Sequence, residues 1–292
     1  MDLLTLIAEK YGFRELRWVR QPEVIMTHVG KRKVSYWRER DLLEYHLNFR
    51  DRLFFTSGFL CNRMIRTLNQ EAFIPIHHGF LTVHDFVEDE FSYEQSPEME
   101  GCLLSSLVRC GIGIEQNDYA FSPFPYRDTI KSLFAIKSLY PESYLLLISL
   151  IPDVKKRLCY HKDIVNGMIP FSSHSIKEVM GQLYFESSNE APISVSEALS
   201  DEVYLWYERK TRADFTHCFK ALLSEVDQEL RSTLIQTIVA PWEWLTCIQS
   251  LQYEGSKVDR VMKEFVEKWE AMKEITGLVE LSILEGRVAV HE

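Results

Sequence analysis

The sequence predicts an α+β chain in two lobes: a small antiparallel sheet with one helix, then a mainly helical lobe. Three observations carry this. Residues 1–90 hold short runs rich in Val, Ile, Phe and Trp, punctuated by turn residues, around one stretch with helical spacing. From residue 97 onward, apolar residues recur every three or four positions through most of the chain. Between them lies the polar, turn-rich run EDEFSYEQSP at 88–97, as a linker requires. The expected division is 1–90 for the sheet-bearing lobe and 91–292 for the helical lobe.

In order, residues 2–11 read as a short amphipathic helix ended by Gly12. Strands are expected at 16–20 and 24–29, with a turn at Gly30-Lys31 and a return strand at 33–37. Leu42, Leu43, Tyr45, His46, Phe49 and Leu53 place a helix over 38–55, punctuated by Gly58. Strands follow at 62–67, at 72–76 and, after a His77-His78-Gly79 turn, at 80–87. Helices are then expected at 97–110, 126–139 and 142–150, the last stopped by Pro152, with short strands within 157–171. The period extends helices over 175–185, 196–210, 213–226, 230–252 and 257–276. Ser194 and Glu197 fit a capping box, and Pro241 interrupts the 230–252 helix.

The chain of 292 residues carries 33 Lys+Arg against 43 Asp+Glu, a formal net charge of −10, with 46% hydrophobic residues. This composition excludes a disordered chain, a collagen-like chain and a disulfide-built miniature domain, and argues against whole-surface nucleic-acid binding. Charge is uneven: residues 11–66 hold 12 basic and 6 acidic residues, and residues 67–118 hold one basic and ten acidic. Such a switch suits two surfaces with different partners, or two lobes touching through complementary fields. The six cysteines form no CxxC pair and read as free thiols of a reducing compartment. The N-terminus MDLLTLIAEK lacks the basic and small-residue features of a secretory signal. The apolar run YLLLISLI at 144–151 falls far short of the ~20 residues that cross a bilayer, so no membrane insertion is expected.

Particular residues resemble a known family. Tyr11-Gly12-Phe13 with Leu16 and Trp18, the stretch Ala72-Phe73-Ile74-Pro75-Ile76, and Pro241-Trp242-Glu243-Trp244-Leu245-Thr246-Cys247-Ile248 followed by Tyr253-Glu254-Gly255 are similar to the CotS group of endospore coat proteins, in its YutH type. The element order resembles the aminoglycoside-phosphotransferase form of the protein-kinase-like fold. The region 126–157, where active relatives place substrate-binding helices, is shorter here. The resemblance implies a kinase-like fold, assembly from the mother-cell cytoplasm into the spore coat, and other coat proteins as partners.

Phosphoryl transfer needs a loop over the phosphates, a third-strand lysine, a catalytic aspartate, and an asparagine and a second aspartate for magnesium. The first hairpin, 19–29, has no glycine. Active relatives place the lysine at about Tyr36 or Trp37, and Lys33 lies toward the other end of the strand. Glu39 or Glu44 would have no lysine to orient. His161 and Asp163 match the His-x-Asp of active relatives, but Asn166 follows after two residues where they have four, a displacement of several ångströms at ~3.3 Å each. The stretch 168–175 offers no carboxylate for the second metal position. His161, Asp163 and Asn166 are therefore remnant candidates, and no cofactor is expected.

His77, His78 and His84 lie near Asp85, but their spacing is not diagnostic of a metal site. No GxSxG elbow is present. Lys31, Arg32, Lys33, Arg38 and Arg40 form a candidate surface for an acidic partner protein, and no nucleic-acid module accompanies them. The expected function is a catalytically inactive kinase-like component of the spore coat. Two alternatives stand: a divergent ATP-dependent small-molecule kinase with Asp163 as base and ATP with magnesium as cofactor, and a cytoplasmic adaptor docking through the basic patch.

Overall fold

The computed structural model describes residues 2–87, 97–112, 121–158, 163–171, 175–179, 182–187, 191–253 and 257–288. In chain order the elements are α1 (Leu3–Tyr11), β1 (Arg17–Arg20), β2 (Val24–Thr27), β3 (Gly30–Trp37), α2 (Arg40–Ser57), β4 (Leu60–Cys61), β5 (Ile74–Ile76), β6 (Gly79–Asp85) and α3 (Pro97–Ile112). There follow β7 (Phe121–Pro123), α4 (Tyr126–Ala135), α5 (Pro141–Ser149), α6 (Ile151–Arg157), β8 (Asp163–Val165), β9 (Met168–Ile169), β10 (Ile176–Val179), β11 (Gln182–Phe185) and β12 (Ile193–Ser194). The last elements are α7 (Val195–Arg209), α8 (Arg212–Ser224), α9 (Gln228–Val239), α10 (Trp242–Tyr253) and α11 (Val258–Val288). The chain divides into two compact units, the first made of Met1–Gln95, Ser106–Glu115 and Met168–Ile193, the second of Ser96–Ser105, Gln116–Gly167 and Ser194–Glu292.

The first unit is built on an antiparallel sheet in the order β1-β2-β3-β6-β5. Side chains alternate across it, as the pleat demands. Val34 of β3 and Leu81 and Val83 of β6 join Ile25 in a core closed by Ile7 and Tyr11 of α1. On the opposite face Trp37 packs with Leu43 of α2 and Met64. α1 and α2 each end at a glycine in the left-handed region, Gly12 at φ 71° and Gly58 at φ 72°, so both expected helix stops stand.

Several expectations need correction here. The β2–β3 turn is His28-Val29, because Thr27 pairs with Gly30; the Thr27 hydroxyl donates to the Gly30 carbonyl at 2.8 Å and pins that register. The strand expected at 62–67 reduces to a single bridge between Met64 and His84. The helix expected over 175–185 is the antiparallel hairpin β10–β11, and β11 runs parallel to β4. Ile176, Val179 and Leu183 fall at helical spacing, but a local period loses to strand pairing with a distant segment.

In the second unit Leu133, Tyr144, Leu147, Trp244, Ile248, Phe265 and Trp269 form one core that joins α4, α5, α10 and α11. α5 ends at Ser149, before Pro152, which sits in the first turn of α6, where its missing N–H costs nothing. Ser194 caps α7 by accepting from the Glu197 amide at 3.2 Å. Pro241 separates α9 from α10, as expected, and α11 runs past the anticipated 276. Gly101 of α3 lies against α8 so closely that an added Cβ would stand 2.1 Å from the Cys218 carbonyl oxygen. Gly101→Ala must push these helices apart and is expected to cost about 1–3 kcal/mol in chemical denaturation. Among the described residues no helix is long and apolar enough to cross a membrane.

Candidate functional site

The buried polar face of the first unit's sheet organises one site. On β3 and β6 the face turned away from α1 carries Thr82 and His84 beside the aromatic Trp37, and their hydrogen bonds form a chain. The Trp37 indole donates to Thr82 Oγ1 at 2.9 Å, and Thr82 Oγ1 lies 2.8 Å from His84 Nε2. His84 Nδ1 lies 2.9 Å from the Asn62 carbonyl oxygen, which assigns the proton to Nδ1 and makes Nε2 the acceptor. Burial, with Arg50 next in effect, holds His84 down to a pKa of about 3, so it stays neutral.

Asn62 passes the network onward. Its Oδ1 accepts from Arg50 Nε at 3.0 Å and from the Ser187 amide at 3.1 Å, and its Nδ2 donates to the Ser187 carbonyl at 3.1 Å. Arg50 is fully buried and also donates to the His46 and Ser187 carbonyls at 3.2 Å each. Burial lowers its pKa to about 10, which leaves it charged at neutral pH. His46 Nδ1 reaches Ser187 Oγ at 3.0 Å. These bonds clamp the backbone of Ser187 and so fix the residue before it, Glu186, at the end of β11.

Glu186 is the centre of the site. Lys33 of β3 donates to its Oε1 at 2.6 Å, and Lys177 of β10 pairs with Oε2. Burial pushes the Glu186 carboxyl up, but the hydrogen bonds from Lys177 and Lys33 outweigh it and hold the group below its usual range. The carboxylate is therefore ionised, and both oxygens are engaged by ammonium groups.

Sequence reasoning missed Glu186 and Lys177. Two four-residue runs flank Met180-Gly181, and that hairpin signal was available; read as a hairpin, it puts a carboxylate at the end of the strand that follows 168–175. The five basic candidates have different surroundings. Lys33 belongs to the Glu186 cluster, Arg32 lies 3.5 Å from Asp85, and Arg40 pairs with Glu44 along α2 at 2.7 Å. Lys31 lies over the Phe86 ring at 5.7 Å, and Arg38 is exposed. Glu39 precedes the first turn of α2.

Of the remnant candidates, His161 lies outside the described residues, as does Cys159. Asp163 opens β8 opposite Pro123 of β7, so it stands in a paired strand, and Asn166 follows that strand directly. The His77 and His78 rings lie 4.1 Å apart, tilted by 48°, whereas His84 is buried within the sheet. Among the described residues no group of three or more His, Cys, Asp or Glu side chains is placed to hold a metal ion. Cys61, Cys102, Cys110, Cys218 and Cys247 are free thiols.

No family model matches the sequence, and no curated protein matches it. Solved structures do. An aminoglycoside phosphotransferase from Alicyclobacillus acidocaldarius matches at 9% identity over 98% of this chain and 97% of that one, with a TM-score of 0.63. A spectinomycin phosphotransferase, solved with ADP and spectinomycin, matches at 12% identity over 96% of each chain, with a TM-score of 0.54. The amicoumacin kinase hAmiN, solved with AMP-PNP and Ca2+, matches at 13% identity over 91% of this chain and 92% of that one, with a TM-score of 0.52. At these identities the likeness is one of fold. The chain has the α+β, two-lobed kinase-like fold in the form that aminoglycoside phosphotransferases share.

Proposed function

We propose that this protein is a kinase-like binding protein that transfers no phosphoryl group, and that it works by association as a component of the bacterial spore coat, as its sequence resemblance implies. The observation that carries the loss of transfer is the Lys33–Glu186–Lys177 cluster. A kinase of this fold uses a third-strand lysine for phosphates and a following carboxylate for magnesium. Here the lysine position near Tyr36 or Trp37 is empty of lysine, the lysine nearer the start of the third strand, Lys33, is bonded to the Glu186 carboxylate, and Lys177 takes the remaining oxygen. A divalent cation would have to displace two ammonium groups.

The helix after β3 supports the same reading. An active kinase carries there a glutamate that orients the lysine. α2 turns His46 and Arg50 inward instead, and Arg50 cannot pair with an ammonium; Glu44 is tied to Arg40 at the surface. Arg38, exposed just before α2, is the basic residue offered to an acidic partner.

Incubation with labelled ATP, Mg2+ and a panel of aminoglycosides and amino alcohols is expected to give transfer at background, and a fluorescent fusion in sporulating cells to mark the spore periphery. A second reading, a divergent small-molecule kinase with Asp163 as base, is favoured by the full-length likeness of fold to phosphotransferases. Transfer above background that disappears in Asp163→Ala would establish it.

A further inference from the structure

The second unit carries a cavity of about 410 Å3 at the end of α7, the start of α8 and the last third of α11. That volume is in the range of small-molecule sites. Its walls divide by chemistry. Phe215 of α8 with Leu278 and Leu281 of α11 supply an apolar surface, and Lys210 and Arg212 supply two cations. Among the described residues one carboxylate lines the wall, Glu274, and it already accepts from the Tyr207 hydroxyl at 2.6 Å. Lys210 is held from behind by Glu100, so the exposed guanidinium of Arg212 is the charge presented outward.

Gly277 is the second observation. It lies well inside a helix of 31 residues, where glycine is unfavourable relative to alanine. Its backbone is not left-handed, and a Cβ built on it meets nothing within 4 Å. Neither backbone conformation nor close packing calls for glycine there. What it does is leave the cavity wall open, since it is one of the lining residues.

We propose that this cavity binds a single-tailed amphipathic anion, its aliphatic body against Phe215, Leu278 and Leu281 over Gly277, and its head at Arg212. The site is independent of the Lys33–Glu186 reading and would stand if that reading failed.

Decanoate, kept below its micellar concentration, is the probe, titrated calorimetrically into the full chain. Saturable 1:1 binding is expected. Gly277→Leu, which fills the cavity with a better helix former and so keeps the fold, is expected to weaken binding at least tenfold. Arg212→Gln, at an exposed position, is expected to weaken it about fivefold, and neutral decanol to bind the parent more weakly than decanoate. No saturable binding to the parent, or equal affinity in folded Gly277→Leu, would overturn the site. Decanol binding as tightly as decanoate would overturn the anionic head.

Discussion

Arg157→Met is expected to destabilise the protein by about 3–5 kcal/mol, because it leaves a buried carboxylate without its partner. The Arg157 and Glu243 side chains are 6% and 2% exposed. The guanidinium bonds both Glu243 oxygens, and it also donates from Nε to the Val239 carbonyl at 2.7 Å and from Nη2 to the Ala240 carbonyl at 3.0 Å. Those carbonyls stand at the Pro241 break between α9 and α10, where the helical ladder cannot satisfy them. The Trp269 ring lies 5.1 Å from the guanidinium carbon. One side chain from α6 thus neutralises Glu243 and caps the end of α9. Thermal unfolding should fall by on the order of 10 °C. Replacing both partners, Arg157→Met with Glu243→Leu, should recover much of the loss, since an apolar pair leaves no buried charge. A double variant no more stable than Arg157→Met would show that the carbonyl bonds, not the ion pair, carry the effect.

The second large effect is a dependence on pH from Glu202 and Glu100 in the second unit. Glu202 of α7 is fully buried, and neither carboxylate oxygen finds a hydrogen-bond partner of good geometry among the described residues. Burial, then the charge of Glu100, push its pKa up to about 7; the Trp206 indole, Arg209 and Lys210 pull the other way without offsetting this. Glu100 is raised to about 7 as well, by burial, although Lys210 donates to it at 3.0 Å. A carboxyl whose folded-state pKa lies above its unfolded value binds its proton more tightly when folded. Its contribution is fully present below about pH 4.5 and is lost as pH rises through about 7. For one shared proton the loss is on the order of 3 kcal/mol. Glu202→Gln keeps the shape and removes the charge, so its melting temperature should exceed that of the parent at pH 8 and change less between pH 5 and pH 8. A variant whose pH profile parallels that of the parent would refute this.

The helix over 40–57 and the break at Pro241 were legible because local pattern and tertiary environment agree there. The inward face of α2 was only half legible. Leu43, Phe49 and Leu53 announce it, but Arg50 occupies the same face and reads as a solvated residue until Asn62 and Ser187 are seen around it. The hairpin at 176–185 was misread because its strands are stabilised by pairing with Leu60–Cys61, more than a hundred residues earlier. The site inherits that difficulty. Lys33 and Lys177 come from two strands and Glu186 from the residue after a third, and no spacing rule links residue 33 to residue 186. The parts that phosphoryl transfer needs said which residue types to look for, and the structure pairs Lys33 with Glu186.

On the proposed reading Glu186, engaged by Lys33 and Lys177, leaves no place for a metal-bound nucleotide. Calorimetric titration of the full chain with Mg-ATP tests it most directly. The expected result is no saturable binding up to about 1 mM, weaker than ~4 kcal/mol of binding free energy. Saturable binding tighter than about 0.1 mM that is abolished by Lys33→Met would contradict it, because the lysine would then be serving a phosphate rather than the carboxylate.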